Sequence, residues 1–146
     1  MVEAARKAGL GVTWHVGETA ATGPELMLKA VEHLRPDRIG HGIELRKATG
    51  ALRDRLLGTL RENRICLEVC PTVNLITRSV GNLHELAGLA RILAQADVPF
   101  CINTDNPYLI KTNLRQEYDI MAEVLGDDAP LLDACHQHAA IATFLK

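Results

Sequence analysis

The sequence has no long apolar run, no marked excess of charge of one sign and no Cys-x-x-Cys pair. Its 146 residues carry a formal net charge of -2, which does not favour binding to nucleic acid or to an anionic membrane. No apolar stretch approaches the roughly 18 residues needed to span a bilayer, and the start of the chain lacks the apolar segment of a secretory signal. These absences predict a cytoplasmic protein that binds neither nucleic acid nor membrane.

The four cysteines do not form a pattern typical of disulfides or of a thiolate metal site. Three of them lie in or beside apolar segments, which predicts buried, reduced thiols. Hydrophobic residues make up 47% of the sequence, enough for one compact core. No linker or repeat interrupts the chain, so residues 1–146 are predicted to form a single domain.

Strand-like and helix-like segments alternate four times along the chain. Short β-prone runs at residues 12–15, 38–40, 65–69 and 99–102 are each followed by apolar residues at helical spacing. Because each helix must carry the chain back to start the next strand, the pattern predicts an α/β fold with a parallel sheet. Either an open sheet or part of an eight-fold barrel fits this pattern, and both place their chemistry at the carboxyl ends of the strands.

Polar or ionisable residues follow each predicted strand. His15 and Glu18 follow the first, His41 the second, Glu68 lies at the third, and Asp105 follows the fourth. A single histidine beside an apolar segment is more often a hydrogen-bonded core residue than a ligand. Two histidines, a glutamate and an aspartate at equivalent positions instead predict a functional site at this edge of the sheet.

This combination of side chains suits metal-assisted hydrolysis. Zn²⁺ takes imidazole nitrogen and carboxylate oxygen as ligands and lowers the pKa of a bound water to about 7. His15 and Asp105 are candidate metal ligands, and Glu18 is a candidate proton donor. His41 lies between two glycines that would let a substrate approach closely, and it is a candidate to hold the attacking water. Asn106 offers a donor and an acceptor for a substrate heteroatom.

Four motifs resemble those of the adenosine deaminases, in the same order. They are His-x-Gly-Glu at residues 15–18, Arg-Ile-Gly-His-Gly at 38–42, Leu-Glu-Val-Cys-Pro-Thr-x-Asn at 67–74 and Asn-Thr-Asp-Asn-Pro at 103–107. The family has a TIM (β/α)₈ barrel of the metal-dependent hydrolase type with a catalytic zinc, and this chain resembles its carboxyl-terminal half, strands five to eight. The resemblance implies zinc-dependent hydrolytic deamination of an adenosine-like 6-aminopurine nucleoside, with release of ammonia.

The resemblance also implies a role for each candidate site residue. The proton donor would protonate the purine ring nitrogen, and the second histidine would orient the hydroxide that attacks the amine-bearing carbon. The implied roles are metal binding for His15 and Asp105, catalysis for Glu18 and His41, and substrate binding for Gly17 and Asn106.

One departure from the family pattern concerns the substrate. Many members carry a second aspartate where this sequence has Asn106, and that aspartate hydrogen-bonds the purine imidazole ring. An amide can still hydrogen-bond at this position, although it cannot ionise. The choice among adenine, N6-substituted adenosines and aminofutalosine-type compounds stays open.

A second departure concerns the metal ligands. The family's other two zinc ligands come from a His-x-His motif on its first strand, which is missing ahead of the motifs found here. The one His-x-His in this sequence joins His136 and His138 within a predicted helix, where residues two apart point to different faces. We therefore expect these two histidines to be solvated rather than a ligand pair, and we expect His33 and His84 to lie on helix surfaces.

A site with only two protein ligands holds zinc poorly, because a catalytic zinc normally has three. A half-barrel also leaves two open sheet edges. Three arrangements remain open: a fragment of a longer enzyme, a split enzyme completed by an amino-terminal half-barrel on another chain, and a self-associating half-barrel. The chain alone is expected to be inactive. The alternative function is a catalytically inert fragment or binding module that keeps the deaminase half-fold.

Overall fold

The fold centres on a four-stranded parallel sheet. The structure is a computed structural model that describes residues 2–145, so Met1 and Lys146 of the predicted domain lie outside the described residues. Neighbouring strands are parallel, and they are adjacent in chain order. Their bounds are β1 Thr13–Val16, β2 Arg38–His41, β3 Cys66–Val69 and β4 Phe100–Ile102.

Helices join the strands and pack against the sheet. The four segments with apolar residues at helical spacing that follow the predicted strands form helices at Pro24–Leu34, Gly50–Glu62, His84–Gln95 and Leu114–Leu125. The α-helices are α1 Val2–Lys7, α2 Pro24–Leu34, α3 Gly50–Glu62, α4 Pro71–Ile76, α5 His84–Gln95, α6 Pro107–Ile110, α7 Leu114–Leu125 and α8 Leu131–Ala142. Short 3-10 helices occupy Ala20–Thr22, Ile43–Lys47 and Gly126–Asp128.

The strand order distinguishes between the two sheet types that the sequence left open. A doubly wound sheet reverses its strand order at a switch point, whereas a barrel adds each new strand beside the last. Here β1, β2, β3 and β4 follow one another without a reversal. The predicted parallel α/β fold is therefore confirmed, and its order is that of a partial barrel.

The register aligns the carboxyl ends of the strands. His15 on β1 pairs with Gly40 on β2, which pairs with Glu68 on β3, which in turn pairs with Cys101 on β4. The polar residues that follow the strands are therefore held at one edge of the sheet. Trp14, beside His15 in β1, is half-buried and packs against the core.

The core consists of the strands' apolar side chains and the inner faces of the helices. In α5, for example, Leu86, Leu89 and Leu93 are fully buried, which is the spacing expected for one face of a helix. The same cluster includes Leu56 and Leu60 of α3. Burying a leucine side chain stabilises a fold by about 1.5–3 kcal/mol, so these stripes hold the helices on the sheet.

Local signals explain where α7 begins and ends. The side-chain oxygen of Asn113 accepts a hydrogen bond from the backbone N–H of Gln116 at 3.1 Å, and the Gln116 side chain accepts from the backbone of Asn113 at 3.1 Å. This reciprocal pair is a capping box, which satisfies two N–H groups at the helix start. Gly126 follows the helix with a φ of 58°. Glycine adopts a positive φ with little strain, which suits Gly126 to this position after the helix.

Two predictions about cysteine and proline have different outcomes. All four cysteines are free and buried, as predicted. Because proline cannot donate to a sheet, the sequence predicts that Pro107 ends the fourth strand, but this prediction is wrong, since β4 already ends at Ile102. Pro107 is instead the first residue of α6, a position that suits its fixed φ and its missing N–H.

Among residues 2–145, no helix combines the length and the apolar character that a membrane crossing requires.

Replacing Gly58 by alanine is expected to raise the free energy of unfolding by about 0.5–1 kcal/mol, since glycine inside a helix destabilises it by that amount. Gly58 lies within α3. Apart from its chain neighbours and its own helix backbone, no atom of residues 2–145 lies within 4 Å of the position that a Cβ would take. Urea denaturation of the two chains measures the difference. A lower midpoint for Gly58→Ala at an unchanged slope would contradict the prediction.

Candidate active site

A polar cavity lies at the carboxyl ends of the four strands. Its volume is ≈ 220 Å³, and every strand or the loop after it contributes to its wall. The structure therefore brings both candidate metal ligands and one candidate catalytic residue to the same cavity. The lining residues are His15, Gly40, His41, Glu68, Cys70, Asn103, Thr104 and Asp105.

His15 is placed by the close contact of β1 with β2. Its imidazole lies over Gly40, and a Cβ built on Gly40 would come within 2.9 Å of Cδ2 and 3.0 Å of Nε2 of that ring. The ring centroids of His15 and His41 are 5.3 Å apart. The His15 ring can therefore occupy this position in the cavity because Gly40 has no side chain.

The two glycines around His41 each leave room for a side chain of the protein. Gly40 makes room for His15, and a Cβ on Gly42 would lie 2.6 Å from Cδ2 of Leu67. Close approach of a substrate at these glycines stays a prediction. Gly42 also has a φ of 68°, a left-handed conformation that favours glycine. Both positions are explained by packing within the protein.

His41 is the most enclosed of the candidate catalytic residues. It is 2% exposed and has a φ of 69°, which is uncommon for a residue other than glycine. Burial lowers the pKa of its imidazole, an effect that the carboxylate of Glu18 opposes and the imidazole of His15 adds to. These influences together keep the pKa below its ordinary value, so the neutral ring predominates at neutral pH.

Glu18 lies next to the cavity, just after β1. Its Oε2 is 3.8 Å from Nε2 of His41, and its side chain is about one third exposed. That distance is too long for a direct hydrogen bond and leaves room for a group that contacts both residues. Glu18 is not among the residues that line the cavity, but its carboxyl group is partly exposed beside His41 in the cavity wall.

Gly17 is held by contacts within the protein. A Cβ at this position would lie 2.3 Å from the sulfur of Met27, and its φ is 74°. Its N–H donates to Oγ1 of Thr22 at 3.0 Å, and its carbonyl accepts from the N–H of Glu44 at 2.8 Å. Substrate binding by Gly17 stays a prediction, and both of its backbone polar groups already have protein partners.

Asp105 and Asn106 follow β4 in an exposed loop. Asp105 has a φ of 57° and lines the cavity. The side-chain oxygen of Asn106 accepts a hydrogen bond from the N–H of Leu109 at 3.3 Å, which caps the start of α6. Asn106 is not among the residues that line the cavity, and its role in substrate binding stays a prediction.

The donor groups suit zinc in kind but not in number. His15 offers imidazole nitrogen and Asp105 offers carboxylate oxygen, which are common zinc ligands. Within residues 2–145, however, no group of three or more histidine, cysteine, aspartate or glutamate side chains is arranged to hold a metal ion. Burial raises the pKa of the Cys70 thiol in the cavity wall, which disfavours a thiolate ligand there.

The His-x-His pair near the carboxyl terminus lies apart from this cavity. The ring of His136 stacks on Tyr118 with centroids 4.3 Å apart, and Nδ1 of His138 is 3.2 Å from the carbonyl oxygen of Phe100. The two rings have different partners, as expected if they are not a ligand pair. The expectation that both are solvated is wrong for His138, which is half-buried against β4.

A model of the adenosine deaminase family matches residues 2–146, nearly the whole chain. The chain belongs to the adenosine deaminase family. The four motifs noted in the sequence all lie within the matched residues.

Two curated relatives illustrate the range of this family. The chain is 41% identical over 138 residues to an aminodeoxyfutalosine deaminase from Streptomyces coelicolor, a match that covers 94% of the chain and 33% of the relative. It is 37% identical over 124 residues to an adenosine deaminase from Pectobacterium atrosepticum, covering 84% of the chain and 34% of the relative. The chain thus spans about a third of the length of these two relatives.

A solved structure shows the same fold. The adenine deaminase from Arthrobacter aurescens superposes with a TM-score of 0.81 at 24% sequence identity, over 99% of this chain and 42% of that one. The arrangement of strands and helices in this deaminase-family chain therefore corresponds to part of a larger enzyme fold.

Two buried side chains of this deaminase-family chain support the cavity, and the sequence did not single them out. Glu117 in α7 accepts from the backbone N–H of Thr72 at 2.9 Å, which fixes α4 beside the cavity. The amide nitrogen of Asn74, in α4, lies 3.1 Å from Nδ1 of His41. Asn74 is the last residue of the motif at residues 67–74, and the resemblance of that motif to the family could have marked it, whereas Glu117 lies outside the four motifs.

Proposed function

We propose that this chain carries part of the active site of a hydrolase that deaminates a 6-aminopurine. The reaction would replace the exocyclic amino group by oxygen from water and release ammonia. One observation carries the proposal: His15 of β1, His41 of β2 and Asp105 from the loop after β4 line one cavity, and Glu18 lies close to His41. Convergence of imidazole and carboxylate groups at the carboxyl ends of barrel strands is typical of catalytic sites.

Zinc is the proposed cofactor, with His15 and Asp105 as two of its ligands. When bound, it would supply the Lewis acidity that makes water a stronger nucleophile at neutral pH. The remaining ligands would come from outside residues 2–145, either from a longer form of the chain or from another chain. For this reason we expect the 146-residue chain alone to bind zinc weakly and to be inactive.

The proposed roles of the chain's own residues follow from their positions. Glu18 is exposed enough to reach a base in the cavity, and its carboxyl group would donate a proton to a purine ring nitrogen. His41 is fixed in the cavity wall and would orient the attacking water. Asn106 would contact the base from the loop after β4 with its amide NH₂, since its oxygen caps α6.

The substrate is proposed from the relatives and from the chemistry of the cavity. The relatives named above are aminodeoxyfutalosine and adenosine deaminases, and both names point to aminopurines. The net charge of -2 gives the chain no general attraction for polyanions, which favours a small molecule over a nucleic acid. An adenosine-like nucleoside is the substrate class that we propose.

A chimera tests this proposal. Residues 2–145 would replace the matched segment of the Pectobacterium atrosepticum adenosine deaminase, which would supply the remaining ligands. We expect zinc-dependent release of ammonia from adenosine or aminodeoxyfutalosine by the chimera, and none by the 146-residue chain alone. A folded chimera with bound zinc that releases no ammonia from either compound or from adenine would contradict the proposal.

The alternative is a binding module that keeps the half-fold without turnover. The shortage of metal ligands among residues 2–145 favours this alternative. It predicts that adenosine binds to the isolated chain in calorimetry while the chimera stays inactive. Turnover by the isolated chain would argue against it, and a dimer in light scattering would then indicate a self-associating half-barrel.

A further inference from the structure

The side chain of Asn74 is completely buried beside His41 and makes two hydrogen bonds of opposite kind. Its Oδ1 lies 3.3 Å from the backbone nitrogen of Cys70. Its Nδ2 lies 3.1 Å from Nδ1 of His41. Because the two ends of an amide differ in their hydrogen-bonding capacity, these two contacts together determine how the imidazole is protonated.

The contact with Cys70 fixes the orientation of the amide. A backbone N–H can only donate, so the atom of Asn74 that faces it must be the carbonyl oxygen. The opposite orientation would place the NH₂ group against the N–H of Cys70, two donors with no acceptor between them. In a buried site two donors without an acceptor are strongly disfavoured, so the amide adopts the orientation with Oδ1 towards Cys70.

The orientation of the amide then fixes the proton on the neutral imidazole. The NH₂ group of Asn74 faces Nδ1 of His41 and can only donate to it, so Nδ1 must be the unprotonated nitrogen. A neutral imidazole carries one N–H, which must therefore be on Nε2. That nitrogen points towards Glu18, with 3.8 Å to its Oε2.

We propose that Asn74 is a positioning residue that holds His41 as the Nε2-protonated tautomer, so that His41 donates a hydrogen bond into the cavity. With its proton on Nε2, the neutral ring has no free lone pair on the cavity side. It can donate to the oxygen of the attacking water, but it cannot accept that water's proton. The tautomer of His41 does not depend on the proposed function; only the statement that His41 donates its hydrogen bond to the attacking water rests on it.

The tautomer can be measured directly on the 146-residue chain. In a long-range ¹H–¹⁵N spectrum of ¹⁵N-histidine-labelled protein, a protonated imidazole nitrogen resonates well upfield of an unprotonated one. The signals of His41 are identified by their loss in a His41→Gln variant. We expect Nε2 of His41 to be protonated and Nδ1 to be unprotonated. An Nδ1-protonated ring, or averaged shifts that indicate both tautomers, would overturn the proposal.

The variant Asn74→Asp tests whether Asn74 is the cause. Aspartate has the same shape and can still accept from the N–H of Cys70, but its second oxygen would accept from Nδ1 of His41. We expect the proton to appear on Nδ1 in this variant. An unchanged Nε2-protonated ring in folded Asn74→Asp would show that Asn74 does not select the tautomer and would overturn the proposal.

The matched control is Asn113→Asp, the same chemical change at the exposed start of α7, where aspartate can also cap the helix. We expect its His41 signals to match those of the unmodified chain. If Asn74→Asp does not fold, the spectrum of the unmodified chain still tests the tautomer. Asn74→Ser then takes the place of the Asn74→Asp variant, and we expect it to lose the single Nε2-protonated state of His41.

The effect on turnover is measured in the chimera. Loss of one hydrogen-bond donor at a reacting oxygen typically lowers kcat by about 10²–10³-fold, and we expect Asn74→Asp to lower kcat in this way with little change in KM. An equal rise in KM with unchanged kcat would contradict the positioning role. The spectrum needs no activity, so an inactive chimera with an Nε2-protonated His41 counts against the proposed function alone.

Discussion

Replacing Glu18 by glutamine is expected to lower kcat of the zinc-loaded chimera by about 10²–10⁴-fold, the usual contribution of a positioned acid or base. Glutamine has the shape of glutamate and can stay near Nε2 of His41, from which the Glu18 carboxylate is 3.8 Å away. It cannot release a proton to the purine ring. The zinc content of the variant is expected to be unchanged, because Glu18 is not a proposed ligand.

The matched control for this variant is Glu25→Gln. Glu25 is an exposed glutamate in the first turn of α2, a few residues along the same segment. Its change also removes one negative charge, and Glu25 is not among the residues that line the cavity, so we expect kcat to stay within about twofold, as for other surface substitutions. A Glu18→Gln variant with the rate of this control would refute the role of Glu18 as proton donor.

Replacing Gly40 by alanine is expected to displace the imidazole of His15 and weaken zinc binding. The new Cβ would be built 2.9 Å from Cδ2 of that ring, closer than real Cβ atoms approach, and 3.0–3.1 Å from two further ring atoms, which is tighter than most real contacts. Gly40 is not among the glycines with a positive φ, so its backbone can accept alanine, and the ring must move instead. Misplacement of a reacting group by about 1 Å can lower the rate about 10²-fold, and we expect a loss of this size in kcat/KM.

Gly58→Ala provides the comparison for Gly40→Ala. Both changes add one methyl group to a residue of a regular element, but only Gly40 faces a candidate ligand. We expect Gly58→Ala to keep the zinc affinity of the chimera, measured by competition with a chromophoric chelator, while Gly40→Ala weakens it. Equal affinities in the two variants would show that contact with Gly40 does not position His15.

The sequence predicted the sheet because buried strands and amphipathic helices have clear periodicities. Residues 65–69 were predicted as a strand and form β3 at Cys66–Val69, while the leucines of residues 52–60 lie in α3. The carboxyl ends of these strands carry the polar residues that meet in the cavity. The meeting of these polar residues was predictable because the carboxyl ends of parallel strands all lie at the same edge of the sheet.

The short helices after β3 and β4 were not predicted. Pro71 and Pro107 follow predicted strands in the sequence, and each is the first residue of a helix, α4 and α6. Proline suits a helix start because its fixed φ is compatible with the first turn and its missing N–H is not needed there. A four- or six-residue helix has too few positions to show a helical period.

Contacts between distant parts of the chain could not be read from spacing. The distance between Asn74 and His41 depends on how α4 sits against β2, and 33 positions separate the two residues. The packing of His15 over Gly40 likewise requires the register of β1 on β2. These contacts turn a set of polar residues into an ordered site, and they appear only in three dimensions.

The half-buried Trp14 gives the site an optical reporter. It is the one tryptophan in the sequence, and it lies in β1 directly before His15. Indole emission from the chain therefore originates at a single strand, one residue from a proposed zinc ligand. Fluorescence titration of the unlabelled protein can follow events at this end of the sheet without a dye, a tag or a second chromophore.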